Sequence, residues 1–538
     1  MKADLVILNA NIVTMDPLYQ RVEALAVSSG KISALGTTAD IRRLTSDSTQ
    51  VIDAGGRLVL PGFQDTHIHL QDSGTGHSRS AELAEARTIE ELQDVMRQQA
   101  SASNDSWVLG TGWYTGIFTD ANLTRTVLDA AVPDRPCFIY ASDGHNACLN
   151  SLGCEAVGIG KGVADPFNGH FVRDSLGEPT GMVHEDAVYW VKSRMPKVTD
   201  DQYEAGVRFG QALCNRHGIT GVLDALVQER HVRIYERMRR NNTLTVRVAA
   251  TAKVDPDEET SAALARVSAL RRDHQSDMFK VHSAKFFLDG VLENRTGAMI
   301  APYSDKGDNA PLMFGHNQIR ELFTAFDAAR FQIHVHVIGD MATRAALDGL
   351  EAARHANGAW PSLHQIAHVQ CIDPADIPRF AELGAMMNIQ PLWARHEPSV
   401  TDVALPMVGE ERGKWMYAFR SLIDAGAGYC LSSDWGVSTL NPFPIMETAI
   451  TRQPPRKNGN HPVFLPEQRM TRDECVRGYT THAAAAAWRS DVTGSLGIGK
   501  HADIIMLDRD IFACDAYDIG DTEVLLTLLG GREFHRAF

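Results

Sequence analysis

The chain has 538 residues and a formal net charge of −15, with 44% hydrophobic and 22% charged residues. That length exceeds one ordinary domain and suits a large barrel with a satellite. The acidic balance disfavours non-specific partners such as nucleic acid or anionic membrane, and no apolar run is long enough to span a bilayer.

The opening stretch, residues 1–9, has too short and too interrupted an apolar run for a signal peptide. Eight cysteines are scattered without a C-x-x-C pair, which points to reduced thiols in the cytoplasm. Residues 1–60 read as short strands and turns: 4–9, 24–27, 31–35 after the Gly30-Lys31 turn, and 51–53, with one helical piece near 39–44. The far end repeats the pattern, with a turn from Gly494, a strand up to Asp508, and further strands at 523–529 and 532–534. Neither end has enough strands to bury a sheet face alone. Residues 1–60 and 488–538 are therefore expected to pair into one composite β-sandwich, with the rest of the chain inserted between them.

Residues 61–487 alternate β-runs with helical patterns, the signature of a parallel α/β fold. After the strand at 63–69, strands are expected at 218–226, 244–252, 281–288, 332–338, 365–370, 385–390 and 428–433, with helices such as 201–216 and 341–355 between them. Eight strands is the count of a (β/α)8 TIM barrel. The first and second strands lie too far apart for one loop and helix. Residues of about 75–190 are thus expected to form an insertion, with strand pieces at 107–110, 137–141 and 170–173.

The stretch Pro61-Gly62-Phe63-Gln64-Asp65-Thr66-His67-Ile68-His69 alternates as a strand does. Side chains two apart point to one face, so His67 and His69 project together with Asp65 behind them. A His-x-His pair alone is more often a chance surface pair. Other strand ends supply partners: Lys285 inside an apolar strand, His336 on the fifth strand, His368 on the sixth and Asp434 ending the eighth. Each has a plainer reading. A lone His is usually a satisfied polar group, as His334 and His364 are taken to be; a strand lysine snorkels; a strand-end Asp caps a helix. Together, however, they bring four histidines, a lysine and a carboxylate to the barrel mouth, where the chemistry of this fold sits. Imidazole and carboxylate suit zinc and related divalent ions.

Several pieces occur in one order almost end to end: 61–69, Ser142-Asp143-Gly144-His145, Lys285 with Asp289-Gly290 and Arg295-Thr296, His336 with Gly339-Asp340, His368-Val369-Gln370, Gln390-Pro391-Leu392-Trp393, Ser433-Asp434-Trp435 and the closing Gly494-Ser495-Leu496 to Asp503. On these the chain resembles the amidohydrolase superfamily, most closely its N-substituted formamide deformylase-like (YtcJ-like) branch. The resemblance implies a urease-like barrel with the composite β-sandwich. It implies one or two divalent ions, zinc being the expected one. His67 and His69 would hold the more buried ion, His336 and His368 the second, and Lys285, carbamylated by carbon dioxide, would bridge them. Asp434 would touch the first ion and carry the proton. Leu288 and the segment Val291-Leu292-Glu293 depart from the usual pattern near the substrate.

The activity so implied is hydrolysis of a non-peptide carbon–nitrogen bond in a small amide, such as an N-substituted formamide or N-acyl amine. Metal-activated water would attack, and Asp434 would take its proton and return it to the leaving amine. The alternatives are a deaminase or a cyclic-amide or lactone hydrolase on the same barrel and, more remotely, a non-catalytic scaffold. Trp113, Tyr114 and Phe118 of the insertion, with Trp393 and Trp435 near strand ends, are candidates to wall an apolar pocket. His145 and Arg295 are candidates for polar contacts, by resemblance. The expected partner is a small-molecule substrate, not nucleic acid or membrane, and the expected assembly is a homo-oligomer, a dimer.

Overall fold

The computed structural model describes residues 2–114, 117–141, 146–166, 169–455 and 460–538. Contacts divide the chain into two compact units, residues 1–70 with 210–538, and residues 71–209.

The first unit holds a parallel eight-stranded sheet in sequential order: β1 (Phe63–Ile68), β2 (Ile219–Val227), β3 (Arg247–Lys253), β4 (Phe279–Phe287), β5 (Gln332–Val337), β6 (Gln365–His368), β7 (Met386–Ile389) and β8 (Gly428–Leu431). These strands are buried along almost their whole length, as strands covered on both faces must be. The sheet closes on itself where β8 returns to β1. The Thr66 hydroxyl donates to the Leu431 carbonyl at 3.0 Å, the Asp434 N–H to His67 O at 2.8 Å and the His69 N–H to Trp435 O at 2.9 Å. This seam sets Asp434 beside the two histidines of β1. Helices such as Asp340–Asn357 follow the strands, so the architecture is the expected (β/α)8 barrel.

Beside it lies the β-sandwich built from both chain ends. One sheet runs Arg532–Arg536, Val524–Leu529, Ile504–Leu507, Leu58–Pro61, Asn11–Val13, Arg21–Val22, so strands of the C-terminal segment pair directly with Leu58–Pro61. The other runs Lys31–Gly36, Ala24–Ser28, Leu5–Leu8, Gln50–Asp53. Leu5, Ile7, Leu25 and Val27 of the second sheet share one core with Ile12, Val59, Ile504 and Leu526 of the first. No helix among the described residues is long and apolar enough to cross a membrane.

The second unit has its own mixed six-stranded sheet, in the order Gly169–Arg173, Pro179–Glu185, Asn146–Leu149, Cys137–Ala141, Val108–Trp113, Ser80–Glu82. Its helix Ile89–Ala102 starts on a capping box: the Thr88 hydroxyl accepts from Glu91 N–H and the Glu91 carboxylate from Thr88 N–H.

Candidate metal centre

In β4 and β5 the period of two turns Lys285 and Phe287, then His334 and His336, to the barrel interior, and register sets Lys285 against His334 and Phe287 against His336. His368 is out of phase with Gln365, whose side chain is already inside the barrel with Gln332 and Asn388. A φ of 75° at His368 and 45° at Val369 takes the chain off the ladder there and swings the ring into the mouth.

The rings then crowd together. His67 and His368 have centroids 4.9 Å apart, His336 and His368 4.5 Å. Donor atoms of His67, His368 and Asp434 all lie within 4.8 Å of one another. Asp434 Oδ1 stands 3.1 Å from His69 Nε2 and 3.7 Å from His67 Nε2, yet this buried oxygen has no hydrogen-bond partner. The His69 approach is close enough for attraction but misaligned for a hydrogen bond. Lone pairs that converge without bonding one another suit a cation between them.

Each of three imidazoles spends one nitrogen on a fixed protein partner; the second nitrogen of His67 faces Lys285 and Asp434, and no hydrogen bond among the described residues reaches the second nitrogen of His336 or His368. His67 Nδ1 lies 2.9 Å from His334 Nε2, His336 Nε2–H donates to the Gly290 carbonyl at 3.0 Å, and His368 Nδ1–H donates to Gln390 Oε1 at 2.8 Å. That pattern fixes tautomer and ring direction in metal-binding histidines. Burial, reinforced for His67 by Lys285 and for His336 by His368, pulls those two well below the ordinary imidazole value, and burial lowers His368 to about 4. The rings are therefore neutral and able to donate lone pairs near pH 7. Burial raises Asp434, but His69, His368 and Lys285 outweigh it and hold the carboxyl at about 2, ionised. Lys285 is wholly buried with Nζ 3.3 Å from His67 Nε2, and burial takes its ammonium down to about 7 against the opposing pull of Asp434. Asp65 Oδ1 accepts from the His67 and Ser433 N–H groups, both at 3.2 Å, behind the pair. The donor set thus fits a divalent cation.

The support beneath these rings was not read from sequence. Gln365 Nε2 donates to Gln332 Oε1, Asn388 Nδ2 to Gln365 Oε1, Ser432 Oγ to Asn388 Oδ1, and Gln390 Nε2 to Ser432 Oγ. This satisfied chain of amides fills the barrel interior and ends on His368. Its signal was polar side chains such as Gln332, Gln365 and Asn388 within otherwise apolar strands. Asp289 has a similar office: its carboxylate accepts from Ala298, Ile338 and Gly339 N–H groups at 2.8–2.9 Å and pins the loop after β4 to the end of β5.

A cavity of about 500 Å³ opens on the cluster, reached by His67, His69, His336, His368 and Asp434 and walled by Phe287, Trp393, Tyr417 and aliphatic side chains. Trp393 stacks on His368, centroids 5.4 Å apart. The remaining substrate candidates are not brought to it. Arg295 is held by Asp305 and Asp308, with 2.8–3.0 Å bonds, and is absent from the lining. Trp435 is buried outside the lining, where its ring edge lies against Gly210. Trp113 and Phe118 belong to the core of the second unit, and Tyr114 is 46% exposed. His145 lies outside the described residues.

The sequence profile of the amidohydrolase family matches residues 50–535. The chain belongs to the amidohydrolase family. It is 27% identical over 546 aligned residues to Protein LONG AFTER FAR-RED 3 of Arabidopsis thaliana, covering 99% of this chain and 92% of the relative. It is 26% identical over 541 residues to N-substituted formamide deformylase of Arthrobacter pascens, covering 98% and 97%. A solved structure of an uncharacterized metal-dependent hydrolase from Pyrococcus horikoshii superposes with a TM-score of 0.77 at 23% identity, covering 95% of this chain and 99% of that one. The resemblance read from the motifs and the barrel-with-sandwich fold are both borne out. As an amidohydrolase the protein is an enzyme, a hydrolase of carbon–nitrogen bonds.

Proposed function

We propose that this amidohydrolase cleaves the C–N bond of a small N-substituted amide, an N-substituted formamide or N-acyl amine, at the mouth of its barrel. One observation carries the reading: the unpartnered Asp434 Oδ1 meets two imidazole nitrogens within 3.7 Å at the floor of a largely apolar cavity. The likeness to a deformylase along nearly the whole chain supports the substrate class.

His67, His69, His336, His368 and Asp434 are the proposed ligands of zinc, with Lys285 as a carbamate bridge if two ions are held. A divalent cation so bound makes water a nucleophile near neutral pH and polarises a carbonyl. The buried Lys285, neutral in part near pH 7, can add carbon dioxide and lose a proton, which replaces a repelling cation with an anion. Asp434, ionised, takes the proton of the attacking water and returns it to the nitrogen as the C–N bond breaks. Phe287, Trp393 and the aliphatic wall exclude water and receive the N-substituent. The free state of all eight cysteines, seven of them buried, supports a reducing, cytoplasmic setting.

The test is formate release from N-benzylformamide and its alkyl analogues by the zinc-loaded protein. One formate per amine released is the expected result. Turnover of lactones or aminated heterocycles with none of any amide would contradict the proposal.

A further inference from the structure

Besides Asp434, the charged side chains reaching the cavity are Glu293, Arg395 and Glu397. Arg395 and Glu397 cancel: Nε and Nη2 stand 2.7 and 2.6 Å from one Glu397 oxygen. Glu293 is different. It is exposed at the cavity, and no hydrogen bond or ion pair among the described residues reaches its carboxylate. The guanidinium two residues on, Arg295, is already taken by Asp305 and Asp308.

A second group points the same way. Tyr417 lines the cavity and is only 3% exposed. Its N–H donates to Gln370 O and its carbonyl accepts from Arg452 at 3.3 Å, but its hydroxyl has no protein partner among the described residues. Burial first, then the Glu293 carboxylate, push this phenol well above its ordinary value, so the hydroxyl stays neutral with its lone pairs available. The wall between is apolar and aromatic, with Phe287, Val291, Leu392 and Trp393. An unpaired carboxylate at the edge of such a wall is a counter-charge for a cation, in an attraction that solvent and salt screen.

We infer that the cavity selects amides whose N-substituent ends in a protonated amine, with Glu293 as the counter-charge and the Tyr417 hydroxyl accepting an ammonium N–H. The inference deepens the proposed amide hydrolysis and rests on it for the orientation of the substrate.

Two probes without a hydrolysable bond test it by calorimetry on the zinc-loaded protein: 4-(aminomethyl)benzyl alcohol, cationic, and 4-ethylbenzyl alcohol, its neutral isostere. The wild type should bind the cation about tenfold more tightly, a preference that shrinks with salt. In Glu293→Gln the ratio of the two affinities should fall to about one, and in Tyr417→Phe to an intermediate value. A wild type that binds the cation no better than the isostere, or a ratio unchanged in Glu293→Gln, would overturn the assignment. The two matching formamides separate this from the parent reading. A cation preference in binding with no formate from either formamide contradicts the hydrolysis alone. Formate from both at equal kcat/KM contradicts the role of Glu293 alone.

Discussion

At Asp434 the backbone accepts φ of 52°, in the left-handed region, while its N–H is tied to His67 O across the seam of the barrel at 2.8 Å. A side chain fixed this way can be tested without moving its neighbours. Asp434→Asn keeps the shape and removes the proton acceptor, so it should fold, keep at least one metal ion and lose about a hundredfold or more in turnover. Formate release read beside metal content checks this; near-normal turnover would remove Asp434 from the proton step. Gln390 acts through His368. Gln390→Leu should lose about 10- to 100-fold in zinc affinity or activity, measured by competition against a chelator. The residue scale was partly legible. His67, His69, His336 and Asp434 reach the cavity because strand alternation and strand ends direct them, and alternation also brings Lys285 to His67. His368 reaches it by a left-handed turn that no pattern announces. Arg295 was misread because its acids, Asp305 and Asp308, fold back on it from ten and thirteen residues downstream, and Trp113 because a buried aromatic carries the same letter as a pocket wall. Asn388 stands out as a polar residue in an apolar strand, but its neighbours do not name its partner, since Thr66 lies 322 residues away and meets it only in the closed barrel.

Among the elements, the loop after β4 is held by close backbone approach. A Cβ on Gly339 would lie 1.9 Å from the Ala298 carbonyl oxygen, and the Gly339 N–H is one of the three that Asp289 gathers. Gly339→Ala must push the two segments apart and loosen the Gly290 carbonyl on which His336 leans. Overpacking of this kind costs about 1–3 kcal/mol. The urea midpoint should fall accordingly, and activity should drop with it; an unchanged midpoint would mean that the contact relaxes freely. The barrel strands were readable because they recur between helical patterns and are rich in apolar, β-branched residues buried along almost their whole length. The second unit was readable in part: the pieces at 107–110, 137–141 and 170–173 fall on three of its six strands, whereas Ser80–Glu82 and Asn146–Leu149 are only three and four residues long, and Asn146–Leu149 pairs with Pro179–Glu185 across more than thirty residues of chain.

Across the whole molecule, the sandwich is fastened to the N-terminal end of the barrel strands by Arg247 of β3 and Asp503, which precedes Ile504–Leu507. Both side chains are about 5% exposed and joined by bonds of 2.8 and 3.1 Å. Arg247 also pairs with the half-exposed Asp277, so removing Asp503 leaves the buried guanidinium with one solvent-screened partner. Asp503→Ala should destabilise the protein by about 1–3 kcal/mol, seen as a lower denaturation midpoint, while Arg247→Met with Asp503→Leu should recover much of the loss. That the ends would meet was legible from their strand count alone, because neither could cover a sheet face. Which strand pairs with which was not, since the register is set by Leu58–Pro61, caught between strands from both ends.

The claim on which the account depends is that the chemistry needs a metal ion held by these residues. Its most direct test is one titration: hydrolysis of an N-substituted formamide and bound metal, measured together as the protein is stripped with chelator and reloaded with zinc. Activity and metal content should fall together to near zero and return together, reaching a maximum at one or two ions per chain. Protein shown by elemental analysis to be metal-free, and turning over at the full rate with chelator still present, would contradict it.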